Sequence, residues 1–112
     1  MPRDVTVAEP ETTTIIDIDT EINVMSDEDL ERPYRVILQN DDITPMDLVV
    51  WVLEVIFELP LNRAAAIMLE AHLKGRALVT VLPFEEANER VFRAQSYARD
   101  FGSPLVLYLE PD

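Results

Sequence analysis

The sequence predicts one α+β domain behind an acidic N-terminal extension, and three observations carry that prediction. Short β-prone runs stand at 34–39, 76–82 and 105–109, each the length of one strand. Apolar residues at helical spacing fill about 45–58, 61–74 and 83–101 between them. Pro60, Gly75 and Gly102 stand where the periodic stretches have to stop. The order is β-α-α-β-α-β, one sheet with one helical layer, and residues 33–112 suffice for an independent core.

Residues 1–32 hold ten acidic residues against two arginines, more than half of the chain's net charge of −13. They contain no glycine and no aromatic residue and end in Asp27-Glu28-Asp29-Leu30-Glu31. Such a segment buries too little apolar surface to offset its chain entropy, so a flexible extension is expected. One patch is different: in Thr12-Thr13-Thr14-Ile15-Ile16-Asp17-Ile18-Asp19, Ile16 and Ile18 alternate with aspartates, a pattern able to add a strand to a sheet edge.

The first strand is Tyr34 to Gln39. The first helix follows from about Pro45 to Glu58, with Thr44 as expected cap, Pro45 in the first position and Asp47 three residues beyond the cap as in a capping box. Leu48, Val49, Val52, Leu53 and Ile56 share one face, while Val50, Trp51 and Val55 make the helix apolar nearly all round. It is therefore buried on two sides or carries an exposed patch. A second helix, Leu61 to Lys74, carries Ala64, Ile67, Met68, Ala71 and His72 and ends at Gly75. The second strand is Arg76 to Leu82. The last helix opens at Pro83 with Glu85 and Glu86 in its first turn, suiting the helix dipole, and points Ala87, Val91, Ala94, Ala98 and Phe101 inward. Leu105 to Leu109 form the third strand.

Composition narrows function by exclusion. With 22 acidic and 9 basic residues the chain lacks the clustered Lys and Arg that nucleic acid or an anionic membrane demands, and its field favours cationic partners. It has no cysteine, so neither a disulfide framework nor a thiolate metal site is available. No apolar run reaches the ~18 residues of a membrane span. The acidic N-terminus resembles neither a signal peptide nor a transit peptide, so a bacterial cytoplasmic protein is expected.

The most informative stretch is Gln39-Asn40-Asp41-Asp42-Ile43-Thr44-Pro45-Met46-Asp47, a polar loop between a strand and a helix. Three acceptor-rich side chains, Asn40, Asp41 and Asp42, stand together, and a loop held at both ends can pre-organise them around a small cation such as an ammonium group. His72, the only histidine, reads on its own as a polar residue near a helix C-terminus, and Met46, Val49, Met68, Ala71 and Leu105 read on their own as core.

Tyr34 through Met46 (with the run Asn-Asp-Asp-Ile-Thr-Pro-Met), then Met68-Leu69-Glu70-Ala71-His72, then Pro104-Leu105, resemble the ClpS family, adaptors that deliver N-degron proteins to a bacterial AAA+ protease. The resemblance spans roughly residues 33–112. It implies a small three-stranded antiparallel sheet packed with three helices. It further implies that Asn40, Asp41 and His72 surround the free α-amine of a bound peptide, that Asp42 and Thr44 hold the peptide backbone, and that Met46, Val49, Met68, Ala71 and Leu105 form a hydrophobic pocket for the first side chain. Glu85 and Arg90 match positions that dock on the N-terminal domain of a ClpA- or ClpC-type unfoldase, although charges on an exposed helix face are ordinarily just solvated. The implied substrates begin with Leu, Phe, Tyr or Trp. The implied protein is a monomer, not an enzyme, with no cofactor and no metal.

The chain departs from the family pattern in places. Ala71 stands where Val is common and implies a roomier pocket. Ile43 replaces an aromatic residue, Val79-Thr80 replaces a Cys-Gly pair, and Pro60 replaces a capping residue. Two other functions compete. An enzyme built on Asp41, Asp42, Asp47 and His72 fails on inventory, with one His, no Cys and no phosphate loop. A regulator or scaffold that docks on the unfoldase without reading N-termini is the stronger rival.

Overall fold

The computed structural model describes residues 26–112. The chain divides into two units, Met1–Leu30 and Glu31–Asp112. The Thr12–Asp19 patch and most of the expected flexible extension lie outside the described residues. Within the remainder of that extension, Asp27–Glu31 forms a short helix, α1. A reciprocal cap starts it: the Asp29 N–H donates to Ser26 Oγ and the Ser26 N–H to Asp29 Oδ2, leaving three acids in the first turn where the dipole favours them.

The second unit runs β1 (Pro33–Gln39), α2 (Met46–Val55), α3 (Leu61–Lys74), β2 (Arg76–Pro83), α4 (Phe84–Asp100) and β3 (Val106–Pro111). The sheet order is β2-β1-β3 with both pairings antiparallel, the α+β architecture expected. β1 is central because it can bury both faces. Val36 and Leu38 point into the helix-covered core, whereas Ile37, flanked in register by Leu78 and Tyr108, is buried on the other face. Val52, Leu53, Val79, Ala94 and Ala98 complete the packing between sheet and helices.

A bulge interrupts β2: Val36 pairs with Thr80 and Ile37 with Leu78, so Val79 has no partner. The extra residue switches the alternation beyond it, which exposes Val81 and packs Leu82 against the core. On the open face, Arg76 donates to Tyr108 Oη at 2.9 Å and to Glu110 at 3.2 Å, and Glu110 also meets Arg35 at 3.2 Å. The Tyr108 hydrogen bond, then the Glu110 charge, raise the Arg76 pKa above its ordinary value.

Three details of the helices differ from expectation. First, α2 ends at Val55 rather than Glu58: Phe57 and Leu59 turn back to donate to the Val52 and Leu53 carbonyls, and Glu58 takes φ 59°. A left-handed non-glycine residue has to be held by its surroundings, and Arg90 of α4 supplies the hold. Its guanidinium donates to the Ile56 carbonyl at 2.6 Å, lies 3.6 Å from Glu58, and pairs with Glu86 at 2.8 Å. That bond satisfies a carbonyl the ending helix leaves without a partner. Second, Thr44 and Asp47 do not cap α2; Pro45 occupies the cap position with no side-chain bond. Third, Phe101 is 63 % exposed instead of inward, because α4 stops at Asp100 and the ring lies against Tyr97 at 4.9 Å. Of the two alternatives for the apolar α2, the exposed patch is present: Trp51 and Val55 remain partly open, and Tyr97 stacks on Trp51 at 4.3 Å.

Candidate functional site

The loop 40–45 is anchored at both ends. The Asn40 N–H donates to the Gly75 carbonyl at 2.9 Å. Gly75 can offer that carbonyl because it turns left-handed at φ 95° as the C-cap of α3, with its own N–H on Ala71. One glycine therefore ends α3, starts β2 and pins the loop beside His72. At the other end the Pro45 carbonyl accepts from Leu48 and Val49 and begins α2.

Asp41 closes the loop internally. Its Oδ1 accepts the Ile43 N–H at 2.9 Å and the Thr44 N–H at 2.6 Å, and its Oδ2 accepts the Thr44 hydroxyl at 2.9 Å. Thr44 is buried at 8 % exposure; its hydroxyl donates to Asp41, no α2 N–H donates to its oxygen, and the cap position falls one residue later, at Pro45. Asp47 takes only its neighbour's N–H, from Leu48 at 3.0 Å. A carboxylate offers about four acceptor positions, so Asp41 keeps about one for a ligand. Asp42 is exposed and makes no side-chain hydrogen bond or ion pair among the described residues, and the same is true of His72.

A pocket of about 260 Å³ opens beneath this loop. Its walls include all ten residues expected around a bound peptide end: Asn40, Asp41, Asp42, Thr44, Met46, Val49, Met68, Ala71, His72 and Leu105. The loop supplies one polar wall and His72 another. Val49 of α2, Ala71 of α3 and Leu105 just before β3 are buried apolar lining, while Met46 is 47 % exposed at the rim. Leu38, Gln39, Ile43 and Pro45 also line it. Their signal was adjacency, since each neighbours a residue the motif had singled out. The volume lies below the ~300–1,000 Å³ usual for drug-sized ligands, a space for one amino-acid side chain and its amine. Among the described residues no three His, Cys, Asp or Glu side chains are grouped to hold a metal ion.

The two expected docking residues lie on α4, outside this pocket. Glu85 is exposed in its first turn, whereas the Arg90 side chain is only 17 % exposed and engaged with Ile56, Glu58 and Glu86. No helix among the described residues is long and apolar enough to cross a membrane.

A pocket that sets a polar loop and His72 against an apolar wall, on a small α+β domain, has the character of a ligand-binding site. Comparison with known proteins gives the class. Residues 29–108 match the model of the family described as ATP-dependent Clp protease adaptor protein ClpS. The ATP-dependent Clp protease adapter protein ClpS of Erwinia tasmaniensis is 42 % identical over 85 residues, covering 74 % of this chain and 80 % of that protein. The structure of Agrobacterium tumefaciens ClpS2 bound to L-phenylalaninamide superposes with a TM-score of 0.70 at 32 % identity, over 73 % of this chain and 99 % of that one. The chain belongs to the ClpS family of Clp protease adaptors.

Proposed function

We propose that this protein binds the free α-amine and bulky hydrophobic first side chain of N-degron substrates and delivers them to the N-terminal domain of a ClpA- or ClpC-type unfoldase in the bacterial cytoplasm. The observation that carries this reading is the single pocket in which an acceptor-rich loop and His72 face Val49, Met68, Ala71 and Leu105. An α-amine with a pKa of about 7.7–8 is mostly protonated at neutral pH, and enclosing it requires acceptors and an opposite charge. Asn40 offers its amide oxygen and His72 a ring nitrogen. The charge comes from Asp42, which no internal donor occupies, and from the last acceptor position of Asp41, whose main task is to hold the loop's shape. The Thr44 hydroxyl is donated to Asp41, and its oxygen keeps acceptor capacity for an N–H of the peptide backbone. The ligand of the Agrobacterium relative, L-phenylalaninamide, has this chemistry, an amine beside an aromatic side chain.

Burying a Leu or Phe side chain contributes roughly 1.5–3 kcal/mol, and each charge-assisted hydrogen bond about as much. After association costs a micromolar complex is reasonable. Titration of peptides differing only in their first residue tests the reading: Leu, Phe, Tyr and Trp saturate and Gly, Asp and Glu do not, whereas equal binding of all would end it. The same series probes Ala71, which is buried in the pocket wall. Ala71→Val adds two methyl groups there, and overpacking of about 1–3 kcal/mol weakens Trp and Ile peptides more than Leu. An unchanged ranking would mean that Ala71 does not set the pocket's reach.

A further inference from the structure

Between α2 and the end of α4 lies a second cleft, whose lining shares only Pro45 with the pocket. Trp51 of α2 stacks on Tyr97 of α4 at 4.3 Å, and Phe101, just past α4, packs on Tyr97 at 4.9 Å. Leu48 adds to this apolar surface, which is left open: Phe101 is 63 % exposed and Trp51 38 %. Two polar side chains join it. Asp47 accepts only the Leu48 N–H, from about four acceptor positions that a carboxylate offers. Ser103 is buried at 6 % exposure, and its hydroxyl makes no hydrogen bond among the described residues, although its N–H donates to the Ala98 carbonyl. A hydroxyl buried without a partner costs stability unless a ligand supplies one. No cation lines the cleft.

We infer that this cleft receives an arginine side chain presented by a partner protein. The guanidinium matches all three features of the lining. It is flat and weakly hydrated, so it lies against aromatic rings; it is cationic, so it pairs with Asp47; and its five N–H donors suffice for the carboxylate and the Ser103 oxygen. An ammonium is a compact, strongly hydrated point charge without a flat face, and an anion meets Asp47 with nothing to offset it. The open rings suit a side chain arriving on a protein surface better than a free small molecule, which a site usually buries more fully. Arginine and the aromatic residues are also the types that carry most interface energy. The inference is independent of the peptide-end reading, because Asp47, Trp51 and Ser103 do not line that pocket.

The probe is N-acetyl-arginine N-methylamide, whose blocked ends leave the side chain as its one charge and its one recognisable group. Trp51 is the chain's only tryptophan, so the indole N–H signal in a proton–nitrogen correlation spectrum reports on the cleft directly. That signal is expected to shift saturably, with half-saturation at about 1 mM. The citrulline analogue, neutral and of the same shape, gives no saturable shift, and the lysine analogue binds about fivefold more weakly. Asp47→Asn and Ser103→Ala each weaken the arginine probe about fivefold or more, while a Leu peptide with a free amine binds both variants as it binds the wild type. Ser103→Ala also raises the thermal midpoint of the unliganded chain, because it deletes the unpaired hydroxyl. Equal shifts from the arginine and citrulline probes, or a half-saturation that neither variant changes, overturn the inference. A lysine probe as tight as the arginine one reduces the cleft to a general cation surface and overturns it as well. Free arginine binding more tightly than the blocked probe assigns the cleft to the amino acid, and a dimer in sedimentation that the probe dissociates assigns it to a second copy; either result removes the partner protein.

Discussion

Asp41→Ala is expected to weaken binding of a Leu peptide by about thirtyfold or more, even though this carboxylate has little acceptor capacity left for the peptide. The residue accepts two backbone N–H groups and the Thr44 hydroxyl within one turn of chain. Hydrogen bonds to a charged group contribute roughly 1.5–3 kcal/mol each, and about 2 kcal/mol lost from loop order corresponds to thirtyfold in affinity. The Asn40 amide and Asp42 carboxylate then have to be ordered at the moment of binding. Asp41→Asn keeps the oxygen facing the two N–H groups and loses the acceptor for Thr44, so its loss is intermediate. Asp42→Ala removes charge without touching the loop and costs about tenfold by the same scale. Affinities measured for the three variants by peptide titration separate brace from ligand. An Asp41→Ala protein of wild-type affinity would show that the loop's internal bonds do not organise the site.

Arg90→Ala is expected to lower the thermal midpoint of the domain by roughly 8–15 °C. Its bond to the Ile56 carbonyl is short, the guanidinium is largely buried, and it steadies a turn in which Glu58 sits at φ 59°. About 2 kcal/mol for a charged hydrogen bond translates into that shift for a domain of 60–100 residues. The contact to Glu58 adds little, since that carboxylate is 73 % exposed. Arg90→Lys keeps the charge and loses the fork, and recovers part of the stability. The same variant addresses docking: an Arg90→Ala protein that melts like wild type and no longer binds the unfoldase would make Arg90 a contact residue and not a clamp.

How much of this was legible in sequence depended on whether one local signal governed the outcome. The bounds of α3, Leu61–Lys74, follow from Pro60 before it and Gly75 after it, and the helix has those bounds. The β-prone run Val36-Ile37-Leu38 located a strand but not its burial on both faces, which needs two neighbouring strands. The β2 bulge at Val79 left no mark, because an extra residue becomes visible only once a partner sets the register. The α2 cap was misplaced by one residue: Thr44 is a good cap by type, but it belongs to the loop that Asp41 closes, and Pro45 takes the cap position. Phe101 fits the inward stripe only if the helix continues, and it ends one residue earlier.

At the site, the residues singled out in sequence line one pocket, but which of them brace the loop and which stay open could not be read from their types. Asn40 through Met46 are contiguous, so their grouping was expected. Bringing Met68, Ala71 and His72 to the same pocket goes with Gly75 folding the end of α3 against the loop, and Leu105 arrives from the segment before β3. Asp41 and Asp42 are alike in sequence. They differ in the structure, where one carboxylate is consumed by three internal donors and the other is open to the pocket.

The measurement that tests the central claim most directly is anisotropy titration with one labelled peptide beginning with Leu, prepared with a free and with an acetylated α-amine. On the proposed reading, acetylation removes the charge that Asn40, Asp41, Asp42 and His72 would hold and adds bulk beside them. The account predicts saturable binding of the free peptide at roughly micromolar concentration, about −8 kcal/mol, and none of the acetylated one. Equal binding of both, or binding of neither, would contradict it and leave a protein that docks on its protease without reading N-termini.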